Sequence, residues 1–329
     1  MKAPGFWYAP GKSALGAVLS PLGLVYGWAT ALRQRRRTPF DPGVPVICVG
    51  NLTAGGAGKT PVVLDIARRL SAKGLKPHVI SRGYGGVQGD APRCVSKEQD
   101  SAADVGDEPL MMAATVPVWV GSDRPQAARA AIQDGAGVLI LDDGFQDPSL
   151  VKTVSLVVAD GRFGFGNGFM IPAGPLRETV AAGLARADGL VILGPDAWGV
   201  ADAARRFGPA GLSLGAGRVR PGAEIDDFAG SLGLAFAGIG QPDKFFQTLR
   251  DHGCRLAGTQ AFPDHHAYSA TEIDALQRRA EDLKAHLLTT EKDWVRLPED
   301  RRDGIGVLTI TLEWDDEAAF DRLLAPLET

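Results

Sequence analysis

Apolar and polar residues alternate in blocks along most of the chain, and these blocks predict a regular succession of strands and helices. Short, almost wholly apolar runs are typical of strands that are buried on both faces of a parallel sheet. They predict strands at 46–49, 77–80, 116–120, 138–141, 154–159, 190–193, 232–237, 287–290 and 307–311. Stretches with helical spacing between them predict helices at 59–70, 125–133, 179–187, 271–284 and 317–324. The alternation predicts an α/β fold with a parallel sheet sandwiched by helices.

The segment 46–70, VICVGNLTAGGAGKTPVVLDIARRL, joins an apolar strand, a glycine-rich loop and a helix that opens with Lys59 and Thr60. This is the context of a phosphate-binding P-loop, in which small residues let backbone N–H groups surround a polyphosphate. Lys59 is expected to reach the β- and γ-phosphates of ATP, and the Thr60 hydroxyl to bind Mg²⁺. The predicted nucleotide-binding residues are Thr53, Ala54, Gly55, Gly56, Ala57, Gly58, Lys59 and Thr60.

One position of this loop departs from the usual pattern, G-x-x-x-x-G-K-[ST]. Thr53 stands where the first glycine is normally found. A tight strand-to-helix turn with an incidental lysine is the alternative interpretation. The agreement of strand, three glycines, Lys-Thr and helix favours the nucleotide site.

A second motif, GVLILDDGF at 137–145, places Asp142 and Asp143 at the end of a buried strand. In P-loop proteins an aspartate in this position holds Mg²⁺ beside the P-loop. A hydrophobic strand that ends in two acids is also common in ordinary turns. The P-loop upstream favours the metal site.

Residues 13–32, SALGAVLSPLGLVYGWATAL, form an uncharged stretch that precedes an arginine cluster. A signal peptide would carry its positive charge before the apolar run, and the glycines and Pro21 dilute a transmembrane helix. A core helix is a further alternative. We favour a helix that begins at Ser20 as N-cap with Pro21 at its first position and lies in the membrane interface. Its predicted apolar face comprises Leu15, Val18, Leu19, Leu22, Val25, Tyr26 and Ala29, opposite Gly16, Ser20, Gly23, Gly27 and Thr30.

Charge is distributed unevenly along the chain. The net charge of −4 combines a basic leader, in which residues 1–40 contain six Lys or Arg and no acid, with an acidic remainder. A basic leader suits an anionic membrane surface, and no nucleic-acid partner is expected. The three scattered cysteines predict neither a disulfide framework nor a zinc site, which fits a reducing cytosolic compartment.

The pattern divides the chain into three parts. We predict a basic, membrane-associating helix at 1–40, a P-loop core domain at 41–215, and a smaller C-terminal α/β lobe at 216–329 that faces the core across the active site. The chain is expected to act as a monomer.

The chemistry beyond the P-loop is less specific. A GTPase would carry an N-K-x-D motif, and the nearest candidate, 290–293, does not match it. A kinase needs a group that takes the proton of the acceptor hydroxyl, and Asp107 and His265 are candidates at loop–element junctions. A soluble P-loop kinase or ATP-dependent ligase acting on a small acid, and a nucleotide-dependent switch, remain alternatives at this point.

Eight segments closely resemble the tetraacyldisaccharide 4′-kinase family, the lipid A 4′-kinases of Gram-negative bacteria. They are the arginine-ended N-terminal helix, VGNLTAGGAGKTP, SRGYG, GDEP, LDDGFQD, IPAGPLRE, FPDHH and TTEKD, in order over nearly the whole chain. The Thr53 anomaly also fits, because this family carries Ser or Thr there. The resemblance implies transfer of the ATP γ-phosphate to the 4′-hydroxyl of an acylated glucosamine disaccharide 1-phosphate, at the cytoplasmic face of the inner membrane, by a peripheral or monotopic protein.

The resemblance also implies roles for individual residues. Asp107 would be the catalytic base and His265 its partner, with Lys59 and Arg177 as further catalytic residues. The implied substrate-binding residues are Tyr84, Arg124, Gln146 and Arg177, and the implied Mg²⁺ ligands are Thr60, Glu108, Asp142 and Asp143. The family often has His after the residue matching Gln146, whereas this chain has Asp147, so no role is carried over to that position.

Overall fold

The computed structural model describes residues 4–9, 14–35, 38–87, 89 and 91–328, without the side chains of residues 31 and 33–35. The helices in this part of the chain are α1 Ala14–Arg35, α2 Lys59–Ala72, α3 Ala102–Val105, α4 Asp107–Met112, α5 Arg124–Gln133, α6 Val180–Leu184, α7 Val200–Phe207, α8 Pro242–Asp251, α9 Ala270–Leu283, α10 Glu291–Trp294 and α11 Glu317–Leu324. The strands are β1 Val46–Gly50, β2 Pro77–Ser81, β3 Arg93–Cys94, β4 Val118–Val120, β5 Val138–Asp142, β6 Val154–Asp160, β7 Gly189–Leu193, β8 Ser213–Pro221, β9 Leu232–Ala237, β10 Arg255–Ala261, β11 His286–Thr290, β12 Ile305–Leu308 and β13 Ile310–Trp314.

A nine-stranded sheet with the order β13-β8-β7-β6-β1-β5-β2-β4-β3 forms the centre of the molecule. Its strands are parallel except at the two edges, where β3 and β13 run antiparallel to their neighbours. The P-loop strand β1 lies between β5 and β6, and Val49 is in register with Asp142. The P-loop and the two acids after β5 therefore meet at one edge of the sheet.

Helices cover both faces of this sheet. One apolar core joins it to α2, α4 and α11, and a second core joins its opposite face to α5, α6 and α7. The central strands β1, β2, β5 and β7 are buried along their full length, which explains the apolar runs of β1, β5 and β7. The prediction of an α/β fold with a parallel sheet sandwiched by helices is confirmed.

A separate four-stranded parallel sheet, β10-β9-β11-β12, forms the small lobe. It differs in extent from the segment 216–329 expected from the sequence, because β8 and β13 both belong to the large sheet. Gly222 N–H donates to the carbonyl of Thr309 over 2.9 Å, so the chain leaves and re-enters the core at one point. We therefore place the small lobe at 222–309. The single strand expected at 307–311 is divided between β12 and β13, which lie in different sheets.

The N-terminal helix α1 begins at Ala14 and not at Ser20, and Pro21 lies inside it. A proline cannot donate to the carbonyl four residues earlier, which here is that of Ala17. The Ser20 hydroxyl donates to this carbonyl over 2.8 Å and replaces the missing bond, so the helix continues through the proline. The expectation that Ser20 caps the helix was wrong for this reason.

Helix α1 rests on the protein through its glycine face. A side chain at Gly23 or Gly27 would collide with Met170, so glycine allows the close approach. The opposite face is exposed and carries large apolar side chains: Leu15, Val18, Leu22, Leu24, Val25 and Trp28. Among the described residues, no helix is both long enough and apolar enough to cross a bilayer.

Candidate active site

The P-loop backbone is held in an open turn between β1 and α2. Gly58 adopts a left-handed conformation (φ 80°), and a Cβ there would lie 2.5 Å from Cδ1 of Leu193. Thr53 forms a bridge with Leu176, and Ala54 N–H donates to the carbonyl of Pro175 over 2.7 Å. The long loop 161–178 thus anchors the first half of the P-loop, while the second half is left to face a ligand.

Lys59 is the first residue of α2, and its Nζ lies 3.6 Å from Oδ1 of Asp143. Arg177 Nη1 donates to the two oxygens of the same carboxylate over 3.0 and 3.1 Å. Burial raises the pKa of Asp143, but the charges of Lys59 and Arg177 outweigh it, so the pKa lies below its usual range. The structure brings together Lys59, Arg177 and an ionised Asp143 beside the P-loop.

Asp142 lies deeper, at the end of β5. Ser81 Oγ donates to its Oδ2 over 3.1 Å, and its Oδ1 is buried without a hydrogen-bond partner within the described part of the chain. Burial raises the pKa of Asp142 to about 6, with further contributions from the charges of Glu108 and Asp143 against that of Lys59. No group of three or more acid, His or Cys side chains among the described residues is arranged to hold a metal ion. Mg²⁺ typically takes only one or two carboxylates from the protein and completes its shell with phosphates and water, and the unpartnered oxygen of Asp142 fits that smaller role.

These opposite pKa shifts predict opposite effects on stability. Ionisation of Asp142 destabilises the fold as the pH rises through about 6. Burial raises the pKa of Asp147, but the charge of Arg124 outweighs it and lowers the pKa to about 2. The ionised Asp147 therefore stabilises the fold above the ordinary carboxyl pKa. At pH 8 without Mg²⁺, we expect Asp142→Asn to raise the free energy of unfolding in urea by about 1–3 kcal/mol. Asp147→Asn, the matched control, should lower it by about 2 kcal/mol. A destabilised Asp142→Asn variant would contradict this interpretation of the site.

Asp107 and His265, 158 residues apart in sequence, meet beside this cluster. Asp107 is the first residue of α4, its carboxylate is 6% exposed, and its Oδ2 lies 3.0 Å from Nδ1 of His265. An ionised carboxylate only accepts, so His265 carries its proton on Nδ1. His265 adopts a left-handed conformation (φ 59°) in the small lobe, and its side chain is partly open to solvent. The pair therefore spans the two lobes.

Two basic residues of the small lobe, which the sequence analysis did not single out, also reach this acid. Arg296 donates to Asp107 Oδ2 through Nε, over 3.0 Å, and through Nη2. Lys292 Nζ lies 3.7 Å from Asp107 Oδ2 and donates to Oε1 of Glu108 over 3.0 Å. Burial raises the pKa of Asp107, but the charges of Lys292 and Arg296 lower it by a larger amount. The pKa is therefore below its usual range, and the carboxyl group is ionised at neutral pH.

Arg124, for which the family resemblance implied a substrate contact, bonds to the turn after β5. Its side chain is buried and donates to the backbone carbonyls of Asp142 and Asp143 over 3.1 and 3.0 Å, and to Asp147 Oδ2 over 2.5 Å. A guanidinium bonded in this way holds the turn after β5 in place, while its buried Nε has no hydrogen-bond partner among the described residues, and we propose a structural role for Arg124. Asp147, to which no role was carried over, is its counter-ion.

The remaining substrate candidates lie at the edge of the site. Gln146 donates from Nε2 to the carbonyl of Asn51 and to Glu178 Oε1 over 2.9 and 3.0 Å, which links the P-loop strand to the turn after β5. Tyr84 is 82% exposed, and its ring lies edge-on to His265 with centroids 6.4 Å apart. Tyr84 is thus near the Asp–His pair and open to a ligand, whereas Gln146 is occupied by the protein.

The fold and the residues at the strand ends define the class of this protein, a P-loop phosphotransferase. The parallel sheet, the P-loop lysine and the adjacent aspartates are its common core. A kinase also needs a group that takes a hydroxyl proton, and the Asp107–His265 pair is the candidate for it.

Comparison with known proteins identifies the family. The profile described as tetraacyldisaccharide-1-P 4′-kinase matches residues 15–328. The chain is 49% identical over 327 residues to the tetraacyldisaccharide 4′-kinase of Paramagnetospirillum magneticum, covering 99% of this chain and 98% of the relative. It is 50% identical over 331 residues to that of Rhodospirillum centenum, with coverage of 99% and 97%. The chain belongs to the tetraacyldisaccharide 4′-kinase family, as the sequence motifs predicted.

A solved structure supports the same assignment. The chain superposes with a TM-score of 0.76 and 25% identity on LpxK from Aquifex aeolicus, described as an "apo" form in complex with ATP. The match covers 95% of this chain and 99% of the other. The chain is accordingly an ATP-dependent kinase of the P-loop fold.

Proposed function

We propose that this protein transfers the γ-phosphoryl group of ATP to the 4′-hydroxyl of tetraacyldisaccharide 1-phosphate, giving lipid IVA in lipid A biosynthesis. The observation that carries the proposal is the contact between Asp107 and His265, which is made between the two lobes beside the P-loop acids. A protein that only binds or hydrolyses a nucleotide has no need of such a pair for an acceptor hydroxyl. Family membership supports the identity of the acceptor.

The P-loop side of the site binds and orients the nucleotide. Backbone N–H groups of the turn around Gly55 to Gly58 and the N-terminus of α2 supply donors and partial positive charge for the phosphates. In the structure, Lys59 and Arg177 both form ion pairs with the Asp143 carboxylate. Both are placed to compensate the negative charge of a phosphoryl group that arrives near them, which is electrostatic and not covalent catalysis.

The acids at the end of β5 fit a magnesium ion on the grounds given above. Asp142, with its unpartnered Oδ1, would be the principal protein ligand, and Thr60, Asp143 and Glu108 are the further candidates that the sequence motifs supply. When bound, the ion would neutralise charge on the phosphates of ATP. The Asp142 pKa of about 6 means that this carboxyl is mainly ionised above pH 6, in the form that binds cations.

The Asp107–His265 pair takes up the proton of the attacking hydroxyl. A sugar hydroxyl is a poor nucleophile, and a positioned acid–base group contributes about 10²–10⁴-fold. The depressed pKa keeps Asp107 anionic, and the Nδ1 contact fixes the orientation of the His265 ring. We propose that the two act as one unit, with Asp107 as the anion and His265 as its partner, while Tyr84 closes over them from the exposed side.

We also propose that the exposed face of α1 contacts the anionic cytoplasmic surface of the inner membrane. Trp28 is 68% exposed and lies on the same face as Val25 and Leu24, away from the glycines that touch Met170. An apolar face of this kind can enter the headgroup region, and the arginine cluster that follows the uncharged stretch in the sequence would add electrostatic attraction. A protein held in this way meets a substrate whose acyl chains remain in the bilayer.

This membrane contact predicts a selective defect. The variant Val25→Glu/Trp28→Glu should bind anionic vesicles at least about tenfold more weakly, because two apolar side chains no longer enter the interface and two negative charges face it. Turnover of bilayer-embedded lipid should fall in parallel, with ATP affinity unchanged. The control Leu214→Glu/Val219→Glu alters exposed apolar residues of β8. Equal vesicle binding by the two variants would contradict the role of α1.

The proposed function is tested by incubating the protein with Mg-ATP and the tetraacylated disaccharide 1-phosphate in mixed micelles. Mass spectrometry should show a product heavier by one phosphate group. Intact ATP binding without this product would refute the proposal.

A further inference from the structure

We propose that Arg296 is a positioning residue of the kinase reaction. It holds the Asp107 carboxylate in place, and the Asp107–His265 pair therefore forms only when the small lobe is docked on the core. The inference rests on the proposed function. It concerns a residue that follows the TTEKD segment and lies outside every motif used above.

The buried side chain of Arg296 connects the small lobe to the core. Its side chain is 5% exposed, follows α10 of the small lobe and reaches Asp107 at the start of α4 in the core. Nε and Nη2 both donate to Oδ2 of Asp107, the same oxygen that accepts from His265 Nδ1. The other oxygen, Oδ1, accepts the N–H of Glu108 over 3.0 Å. Each oxygen of this carboxylate therefore has a fixed donor.

The opposite side of the guanidinium is held equally firmly. Arg296 Nη1 donates to the carbonyl of Gly238 over 2.8 Å and to Oδ1 of Asp293 over 3.1 Å. Asp293 is fully buried, and its Oδ1 also accepts the Gly238 N–H and the Tyr268 hydroxyl, each over 2.9 Å. Asp293 thus holds the Arg296 guanidinium in place within the small lobe.

The same frame also holds His265. The carbonyl of Gly238 that accepts from Arg296 also accepts the backbone N–H of His265 over 3.1 Å. One guanidinium therefore connects the backbone that carries the histidine with the carboxylate that the histidine contacts. Movement of the small lobe away from the core would separate Asp107 from His265 and from Arg296 together.

A guanidinium suits this position better than an ammonium. Its planar group has five donors in a fixed geometry and can serve Asp107, Asp293 and Gly238 simultaneously, whereas Lys has a single nitrogen at the end of its chain. Among the described residues, the hydrogen bonds and ion pairs of Arg296 go to Asp107, Asp293 and the Gly238 carbonyl and not to the P-loop acids, so its effect on the reaction is exerted through the Asp107 carboxylate. This distinguishes a positioning residue from a catalytic one.

A double-mutant cycle with the full chain tests the proposal. Arg296→Gln is expected to lower kcat for lipid phosphorylation by about 10²-fold, the usual result of a misplaced catalytic group, with the KM values for ATP and lipid within about threefold of the wild type. In the Asp107→Asn background the same change should lower kcat by no more than about threefold, since its effect passes through Asp107. Arg296→Lys, which retains a cation, should recover part of the loss.

A matched control separates positioning from general stability. Arg302 lies in the same segment, donates to the carbonyls of Leu297 and Val295, and does not contact Asp107. Arg302→Gln should lower the midpoint of thermal unfolding yet leave kcat within about twofold of the wild type, because only packing of the lobe is affected.

The outcomes are distinguishable. An Arg296→Gln enzyme within threefold of the wild-type kcat, or a full additional loss in the Asp107→Asn background, would overturn the role of Arg296. If Arg296→Gln fails to fold, Arg296→Lys tests the proposal instead. A wild-type kcat in Arg296→Lys would show that the guanidinium is not required. A wild-type protein that leaves the lipid unphosphorylated would instead refute the proposed function.

Discussion

Lys59→Ala is expected to lower kcat for lipid phosphorylation by about 10³-fold, the scale associated with losing a principal group that stabilises transition-state charge. Lys59 opens α2 at the P-loop, and its Nζ is 3.6 Å from Asp143, so it lies between the nucleotide site and the metal-side acids. Its loss removes one of the two cations that pair with Asp143 among the described residues, and with it the side chain expected to reach the β- and γ-phosphates. Steady-state kinetics with vesicle-embedded lipid measures the effect.

The control for this prediction lies on the same helix. Lys73 follows the last turn of α2 and pairs with Glu328 at the surface. Exposed ion pairs contribute little to stability, so Lys73→Ala should keep wild-type kinetics within about twofold. If Lys59→Ala retained more than about a tenth of the wild-type kcat, the P-loop would not serve the transferring phosphoryl group in the proposed way.

The second large effect is expected at the Asp–His pair. Asp107→Asn keeps the shape of the side chain but removes the anion that accepts from His265 and Arg296. We expect kcat to fall by about 10²–10⁴-fold, the range of general acid–base catalysis, while the dissociation constant of ATP changes little. Rapid-quench kinetics and equilibrium nucleotide binding measure these two quantities separately.

Asp123→Asn provides the matched acid-to-amide control. Asp123 caps α5 through a bond from Gln126 N–H, and asparagine caps a helix about as well. Its kinetics should therefore equal those of the wild type. Loss of ATP binding in Asp107→Asn, with kcat preserved at saturating nucleotide, would instead place Asp107 in the nucleotide site.

The large sheet could be predicted from the sequence because its signals are local. A buried parallel strand is typically a mostly apolar run, and β1, β5, β6 and β7 each appear as one, whereas β2 contains His78 and is apolar only in part. The exposed edge strand β10, with alternating exposure and a polar composition, gives no such signal and was not predicted. Local patterns also cannot tell which sheet a strand joins, which is why the assignment of β8 and β13 required the structure.

The candidate site could likewise be predicted from the sequence only in part. Lys59, Asp142 and Asp143 follow from motifs, since the P-loop and the adjacent strand impose their positions. The contact between Asp107 and His265 depends on how the small lobe docks, and only the family resemblance suggested it. Lys292 and Arg296 were missed, although charged residues just after the apolar strand β11 are a usable signal, because ligand-binding residues gather at the carboxyl ends of parallel strands.

The N-terminal helix illustrates a competition between two local rules. Ser-Pro is a frequent helix start, yet here the same serine supplies the hydrogen bond that lets α1 continue through Pro21. The apolar face predicted from helical periodicity agrees with the exposed face at Leu15, Val18, Leu22, Val25 and Tyr26, whereas the exposed Leu24 and Trp28 were not assigned to it. What covers the apolar face is not encoded in that periodicity and remains a proposal.

The central claim is that the phosphoryl group of ATP moves to the 4′-oxygen of the lipid disaccharide. It is tested most directly by supplying ATP with an isotopically labelled γ-phosphate and locating the label in the lipid product by tandem mass spectrometry. The account predicts one labelled phosphate on the 4′-oxygen of the sugar distal to the 1-phosphate, formed by the wild type and greatly reduced in Asp107→Asn. Label at any other oxygen, or release of the label as inorganic phosphate alone, would contradict it.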